Sequence, residues 1–300
     1  MGIKGLFKLI STESPNAIRA SKDFKGQKIA IDASILIYQW CIVGESRNIV
    51  NSYGMYINHI QGTFFRTVSM LVAGIIPVFV FDGPPPKIKD ATIAKRKLTK
   101  QVNISRNITA EVILLLHLMG VMTVQAPSEA ESEAASMSNN GSVAAVASED
   151  GDVLAFGGQA LIRGLGVQGE GTVVETALVL KGLGLSRASF IDLCILLGCD
   201  YTGTVPKIGP KRALLLMRKY GSIEALLAGE NIIAPANFNY QEARKEFTRP
   251  QVSKASIMVK TVPLTTSMID SLYLFLVDTH GLPVNKVETG LKKLSTYYGL

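Results

Sequence analysis

Short apolar runs that lead into acidic residues recur in the first half of this chain. Residues 28–32 and 77–82 are β-rich runs that end on Asp32 and Asp82, and residues 142–147 form a third run, which an acidic patch follows. Helix-like segments lie at residues 34–43, 53–73 and about 89–119. Strands that alternate with helices predict a mostly parallel sheet covered on both faces. We therefore expect an α/β fold in which ligands bind beyond the carboxyl ends of the strands.

Seven carboxylates fall into five short patches within the first 200 residues. They are Asp32, Asp82, Glu129, Glu131, Asp150, Asp152 and Asp200. Carboxylates that share a site repel one another, so gathering them is costly unless cations lie between them. Mg²⁺ takes oxygen ligands, and a pair of such ions can clamp the attacking and leaving oxygens of a phosphodiester. The pattern favours a metal-dependent nuclease.

Some of these acids also have an ordinary structural interpretation. A single Asp after a strand, such as Asp32 or Asp82, commonly forms a turn or caps a helix. Glu129 and Glu131 stand where a helix is expected to begin, and the helix dipole favours acids in a first turn. Two residues apart in a regular helix they would diverge, whereas at an irregular helix start they can converge. Glu133, which continues the series, is by its spacing the expected bystander.

Asp150, Asp152 and Asp200 give a stronger signal. The glycine between Asp150 and Asp152 is flexible enough to let both carboxylates point at one metal, although a tight Asx turn uses the same residues. Asp200 follows the helix-like segment 186–197, and a helix end normally disfavours a negative charge. That unfavourable placement indicates a functional reason for Asp200.

A basic segment directly follows Asp82. Residues 87–106 contain seven basic side chains and one Asp. Lys89 and Arg96 are seven residues apart, so on a helix they share a face. Positive charge beside an acidic metal site can position a phosphate for attack. Tyr38, six residues after Asp32, could stack on a nucleobase beside that site, or it is a core aromatic.

A second basic segment, residues 204–220, contains five basic side chains and no acid. The glycine-rich turn at Gly209 enters a helix, and such a turn exposes backbone N–H groups that can hold a phosphate. A solvated basic helix face is the alternative interpretation. A bound monovalent cation in this turn could bridge carbonyls and a phosphate.

The net charge of +7 is unevenly distributed: residues 1–199 carry +2 and residues 200–300 carry +5. A basic body around an acidic centre suits a polyanion held near metal ions, and solubility alone is the simpler explanation. No apolar stretch is long enough for a membrane span, and no signal peptide is recognisable. We expect a soluble intracellular protein with no membrane partner, either nuclear or cytoplasmic. Its three cysteines show no CxxC spacing, which predicts plain thiols rather than zinc ligands.

With these residues assembled, the chain closely resembles the flap endonuclease branch of the structure-specific 5′ nucleases. The resemblance runs from the N-terminus to about Tyr220 and, more weakly, to Leu300. Its markers are Met-Gly-Ile-Lys-Gly-Leu, Ile-Asp-Ala-Ser, Val-Phe-Asp-Gly-Pro-Pro, Ala-Pro-Ser-Glu-Ala-Glu, Glu-Asp-Gly-Asp-Val-Leu-Ala-Phe-Gly, Leu-Cys-Ile-Leu-Leu-Gly-Cys-Asp-Tyr and Ile-Gly-Pro-Lys-Arg-Ala. It implies a PIN-like α/β fold with a helical arch and a C-terminal helix–two-turn–helix region that binds DNA. The catalytic core would span residues 1–200, and residues 201–300 would form a helical extension packed on it.

The resemblance also implies roles for individual residues. The seven carboxylates match the family's metal site, which holds two Mg²⁺ ions that Mn²⁺ can replace, and Asp150 is the carboxylate whose loss we expect to abolish cutting. Lys89 and Arg96 match the catalytic basic residues at the base of the arch. The DNA-binding positions are Gly2, Tyr38, Lys207, Gly209, Lys211 and Arg212, and the Gly209 turn is the expected potassium site.

Three departures from the family pattern bear on the substrate. Only 23 residues separate Arg96 from Gly120, so the arch is short, as in a compact, for example viral, member, and threading of free 5′ ends is in question. The loop after Cys41 has Glu45 but no acidic cluster, which weakens the expected 3′-flap pocket. The sequence to Leu300 contains no sliding-clamp tail motif.

The sequence thus predicts a Mg²⁺-dependent 5′-flap endonuclease with 5′–3′ exonuclease activity, acting in DNA replication and repair as a monomer on branched duplex DNA. A junction resolvase or a mainly exonucleolytic enzyme is the alternative within the family. A non-catalytic DNA-binding scaffold is the alternative from another class.

Overall fold

The computed structural model describes residues 2–21, 23–47, 50–51, 54–90, 92, 106–166, 168–260 and 262–300. The strands in this part of the chain are β1 (Ile18–Ser21), β2 (Lys28–Asp32), β3 (Ile76–Phe81), β4 (Met122–Gln125), β5 (Ala145–Ala147), β6 (Ala160–Arg163) and β7 (Gly171–Glu175). Its α-helices are α1 (Leu6–Glu13), α2 (Ala33–Arg47), α3 (Asn58–Val72), α4 (Arg106–Leu118), α5 (Ala130–Asn139), α6 (Asp152–Ala155), α7 (Thr176–Leu183), α8 (Arg187–Leu197), α9 (Pro210–Tyr220), α10 (Ile223–Gly229), α11 (Tyr240–Thr248), α12 (Thr266–Leu274) and α13 (Val284–Tyr298). Pro15–Ala17 and Lys87–Lys89 form 3₁₀ turns, and Phe275–Thr279 forms a π-helical turn.

The strands form one sheet in the order β1-β7-β6-β5-β2-β3-β4. Strands β6, β5, β2, β3 and β4 pair in parallel, and β7 runs antiparallel to both β6 and β1. The central strands β2 and β3 are almost entirely buried, as expected for parallel strands covered on both faces. The predicted α/β fold with a mostly parallel sheet is confirmed.

Two apolar clusters cover the two faces of the sheet. Successive side chains of β2 alternate between them, so Ala30 packs into one cluster while Ile29 and Ile31 pack into the other. Helices α1, α5 and α7 to α11 contribute to the first cluster, and α2, α3, α4, α12 and α13 contribute to the second. Residues 201–300 therefore pack against both faces of the sheet.

The observed elements refine the expected boundaries. Strand β2 matches its prediction, β3 begins one residue earlier, and β5 takes only the last three residues of the predicted run. Helix α3 begins at Asn58 rather than at residue 53, because Val50 and Tyr56 form an antiparallel bridge before it. The 3₁₀ turn Lys87–Lys89 precedes the long helix expected from about residue 89: Asp90 and Thr92 are helical, and Arg106–Leu118 is its described C-terminal part. Ser186 caps α8 as predicted by accepting a hydrogen bond from the Ser189 N–H.

Some predictions fall on parts of the chain that the structure does not describe. The expected arch with Arg96 lies outside the described residues, and so does the side chain of Glu45. Among the described helices, none combines the length and apolar character needed to cross a membrane.

Candidate active site

The acidic residues gather because they end or follow neighbouring strands. Asp32 is the last residue of β2, and Asp82 comes directly after β3. Asp150 follows β5, and Glu129 lies after β4 at the N-terminal cap of α5. Because β5, β2, β3 and β4 are adjacent and parallel, their carboxyl ends meet at one edge of the sheet. The prediction that Asp32 and Asp82 face one crevice follows from this register.

Hydrogen bonds fix two of these carboxylates. Asp32 Oδ1 accepts from the Ile35 N–H at 3.1 Å, and its Oδ2 accepts from the Ser148 hydroxyl at 3.0 Å. Asp82 Oδ1 accepts from the Ala130 N–H at 2.8 Å, which ties the end of β3 to the first turn of α5. These bonds leave each carboxylate with further lone pairs for a cation.

Asp150 and Asp152 are held by a local turn. The Asp150 N–H donates to Ser148 Oγ at 3.0 Å, and Asp150 Oδ1 accepts from the Asp152 N–H at 2.9 Å. The Asx turn considered as an alternative is therefore present, and its two aspartates also belong to the acidic cluster. Asp152 begins α6 and is buried. Its Oδ1 has no hydrogen-bond partner among the described residues.

The carboxylates raise one another's pKa. Burial, together with Asp82 and Asp150, raises the pKa of Asp32 to about 7. Burial, Asp32 and Asp82 raise the pKa of Glu131 well above its usual range. Burial and Asp150 do the same to the pKa of Asp152. The cluster is thus a region of excess negative charge into which a cation fits.

Within the described residues, one protein cation enters this cluster. Lys89 is largely buried, and its ammonium contacts Glu129 Oε1 and lies 3.5 Å from Asp200 Oδ2. Burial alone would lower the pKa of Lys89, but Glu129 and Asp200 outweigh it and raise the pKa above its usual value. Lys89 therefore stays protonated beside two of the predicted metal ligands. The Tyr201 hydroxyl donates to the other oxygen of Glu129.

The residues present fit hard divalent cations. All seven predicted ligands are carboxylates, and the orphaned Asp152 Oδ1 is a buried acceptor without a donor among the described residues. No group of three or more acidic, histidine or cysteine side chains in the described ranges closes into a ready-made metal shell. Mg²⁺ does not need one, because it keeps several waters and uses one or two carboxylates.

The other predicted residues lie around this cluster or on the helix that follows it. Gly2 has a φ of 78°, and a Cβ at this position would overlap the Asp150 carboxylate, so only glycine fits there. Tyr38 is half-buried on α2, one turn and a half beyond Asp32. Gly209 is the N-terminal cap of α9, and Lys211 and Arg212 are exposed in its first turn.

Two residues that contact the predicted ligands were not predicted from the sequence. Ser148 supports both Asp32 and Asp150, and Tyr201 supports Glu129. Ser148 is two residues from Asp150, and Tyr201 is next to Asp200. Closeness in sequence to a predicted ligand was the signal that could have identified them. Glu133, the expected bystander, is buried and accepts a hydrogen bond from the Ser253 N–H at 2.8 Å.

The charge repulsion predicts how metal and pH affect stability. Asp32 has a pKa near 7 when folded and near 3.8 when unfolded, so the folded state binds more protons between these values. Its contribution to metal-free stability therefore falls as pH rises from about 4 to about 7. Mg²⁺ should relieve the repulsion and raise the melting temperature more at pH 7 than at pH 5. Thermal unfolding at both pH values, with Mg²⁺ and with EDTA, checks this; an equal shift at both would contradict it.

Comparison with known proteins points to one family. The XPG N-terminal domain family model matches residues 1–103, and the XPG I-region family model matches residues 120–200. Flap endonuclease 1 of Fusarium vanettenii is 37% identical over 98% of this chain and 84% of its own length. Among solved structures, the catalytic core of Rad2 in complex with DNA substrate superimposes with a TM-score of 0.83 at 25% identity, covering 98% of this chain and 100% of that one. Flap endonuclease-1 from Methanococcus jannaschii has a TM-score of 0.77 at 28% identity, covering 94% and 97%.

Proposed function

The chain belongs to the flap endonuclease family and is a structure-specific 5′-flap endonuclease, and we propose that it cuts DNA with two Mg²⁺ ions held by its acidic cluster. The observation that carries this proposal is the meeting of carboxylates from four adjacent strand ends beside the protonated Lys89. The likeness to Rad2 bound to a DNA substrate supports a branched duplex as the molecule that is cut. Replication and repair are the processes in which we place the reaction.

The proposed metal ligands are the same seven carboxylates. They are Asp32, Asp82, Glu129, Glu131, Asp150, Asp152 and Asp200. Divalent ions bound there would activate a water as nucleophile and stabilise the leaving oxygen, and Mn²⁺ offers the same chemistry. The hydrogen bonds from Ser148, Ile35 and Ala130 keep Asp32 and Asp82 in fixed orientations, so little reorganisation is needed when the site fills.

Lys89 is the residue we propose to hold the scissile phosphate. Its ammonium already lies within the acidic cluster, at 3.5 Å from Asp200. A cation bound by Glu129 and Asp200 would displace the ammonium from them and leave it free to bind a phosphate oxygen. Charge-assisted contacts of this kind position the reacting group and stabilise charge that develops on it. Arg96 retains the same proposed role from its position in the sequence.

We propose that the start of α9 holds the uncut duplex. Helix α9 begins at Pro210, and no side chain of the described ranges caps the N–H groups of its first turn. Lys211 and Arg212 are exposed there, and the Arg212 guanidinium also donates to the Lys207 carbonyl at 3.4 Å and lies 3.9 Å from Glu230. Lys207, just before the turn, has a left-handed φ of 65°, which shapes the approach to Gly209. This turn suits a phosphate of the duplex. It also suits a potassium ion that bridges the carbonyls of the turn and that phosphate. Tyr38 and Gly2 are proposed to contact DNA close to the cut.

A cleavage assay on an end-labelled 5′-flap duplex tests the proposal. We expect one main Mg²⁺-dependent cut at or next to the flap junction, no cut with EDTA, and only slow removal of nucleotides from the 5′ end in the same duplex without a flap. Flaps with a blocked 5′ end report whether the short segment between Lys89 and Gly120 still requires threading. A ladder of short products in place of the single cut would favour the mainly exonucleolytic alternative. Preferred cutting of four-way junctions would favour the resolvase alternative. DNA binding without any cutting, and no heat of Mg²⁺ binding in calorimetry, would establish the scaffold alternative.

A further inference from the structure

Tyr201 lies at the junction of the acidic cluster and the helical region that follows it. The residue comes directly after Asp200, and only 3% of its surface is exposed. Its hydroxyl donates to Glu129 Oε2, while Lys89 contacts Oε1 of the same carboxylate. Both oxygens of Glu129 are thus held by side chains from other segments.

The ring of Tyr201 contacts the catalytic lysine as well. The Lys89 ammonium lies 5.3 Å from the ring centroid, within the range of a cation–π interaction. A cation over an aromatic face keeps a favourable contact even when its carboxylate partner changes. Tyr201 therefore interacts with a proposed metal ligand through its hydroxyl and with the proposed phosphate-binding cation through its ring.

The position of the ring does not depend on the hydroxyl. Phe247 of α11 packs edge-on against Tyr201 with ring centroids 5.0 Å apart, and Phe156 lies 6.5 Å away. Phe156 directly follows α6, which Asp152 begins, and it also packs on Phe247 at 5.1 Å. The three rings form a rigid support whose apolar contacts a phenylalanine at position 201 would keep.

We propose that Tyr201 is a positioning residue for the cleavage reaction, which orients the Glu129 carboxylate for the metal and the Lys89 ammonium for the phosphate. This inference rests on the proposed metal-dependent cutting by the same site. Tyr201 itself is enclosed and acts through Glu129 and Lys89. Side chains that orient metal ligands commonly change metal affinity or activity by about 10–100-fold when they are replaced.

The substitution Tyr201→Phe isolates the hydroxyl. In single-turnover cleavage of the 5′-flap duplex, we expect the maximal rate to fall about tenfold and the Mg²⁺ concentration for half-maximal rate to rise about tenfold. The dissociation constant for the flap duplex in Ca²⁺ should stay within about twofold of the wild-type value, because contacts to the duplex phosphates are unchanged. The metal-free melting temperature should also stay near that of the wild type. A purely structural role would lower the melting temperature and leave the Mg²⁺ dependence unchanged.

Tyr220→Phe is the matched control. Tyr220 donates to Glu230 at 2.9 Å, and the Lys219 ammonium lies 4.6 Å from the Tyr220 ring, so the same three residue types meet away from the acidic cluster. This variant should cut at the wild-type rate with the wild-type Mg²⁺ dependence. An equal loss in both variants would overturn the assignment to Tyr201.

A thermodynamic cycle tests whether Tyr201 acts through Glu129. The readout is the rise in melting temperature on adding Mg²⁺, which does not require catalysis. Tyr201→Phe should reduce this rise in the wild-type background and have no further effect in a Glu129→Ala background. Equal reductions in both backgrounds would overturn the coupling. If the wild type itself neither cuts nor is stabilised by Mg²⁺, the proposed function fails; if it does both and Tyr201→Phe matches it, only this inference fails.

Discussion

Asp150→Asn should abolish most cutting and, at the same time, make the metal-free protein more stable. Asp150 raises the pKa of Asp32, Glu131 and Asp152, so its charge acts on three other acids of the cluster. An asparagine keeps the Oδ1 that accepts from the Asp152 N–H but removes the charge. Losing one proposed metal-binding carboxylate should cost several kcal/mol of transition-state stabilisation, or at least about 100-fold in rate.

The gain in stability has the same cause as the loss of activity. Removing one of several like charges relieves repulsion that bound metal would otherwise offset. The metal-free melting temperature at pH 7 should therefore rise, and the stabilisation by Mg²⁺ should shrink. Sites that are strained for function often show this opposition between stability and activity.

Glu149→Gln is the control for the Asp150 substitution. Glu149 is the preceding residue, but its carboxylate turns away to Arg163 at 3.0 Å and to the Gly164 N–H. The variant removes the same charge without touching the cluster and should cut within about twofold of the wild type, since surface ion pairs contribute little. Near-normal cutting by Asp150→Asn, or an equal loss in both variants, would contradict the assignment of Asp150.

The acidic cluster was predictable because it depends on strand order and local sequence. The strands before Asp32, Asp82 and Asp150 are marked by apolar runs, and parallel strands place their ends together. Strand β4, which precedes Glu129, has no such run and was not predicted. The edge strand Ile18–Ser21 was not predicted, since its residues are half-buried or exposed and form no apolar run. Helix α3 begins later than predicted because a tertiary bridge occupies the residues before it.

The supporting contacts were not predictable for a different reason. The Tyr201–Glu129 hydrogen bond joins residues 72 positions apart, and the Ser148–Asp32 bond joins residues 116 apart. No periodicity or spacing in the sequence records which hydroxyl meets which carboxylate. The sequence therefore indicates the chemistry of the site. The packing of α5, α6 and α8 determines how firmly its side chains are oriented.

The largest effect on stability should come from Arg244→Ala. Arg244 of α11 donates to both oxygens of Asp192 at 2.7 Å and to both oxygens of Glu224 at 2.7 and 2.9 Å. The Asp192 side chain is only 4% exposed. Removing Arg244 leaves that buried carboxylate with the Ile223 N–H, at 3.0 Å, as its one donor in the described part of the chain. Breaking a buried pair in this way typically costs about 3 kcal/mol or more, which is roughly 6–10 °C in melting temperature.

Lys245→Ala separates this effect from a general response of α11. Lys245 is the next residue, is exposed, and lies 3.9 Å from Glu242 one turn away. Its removal should change stability by less than about 0.5 kcal/mol. A loss in Arg244→Ala no larger than this would show that Asp192 does not depend on the arginine. Adding Asp192→Ala to Arg244→Ala should recover part of the loss, because the unpaired charge is then absent. Since α11 also carries Phe247, which packs on Tyr201, cleavage by Arg244→Ala should fail at a correspondingly lower temperature.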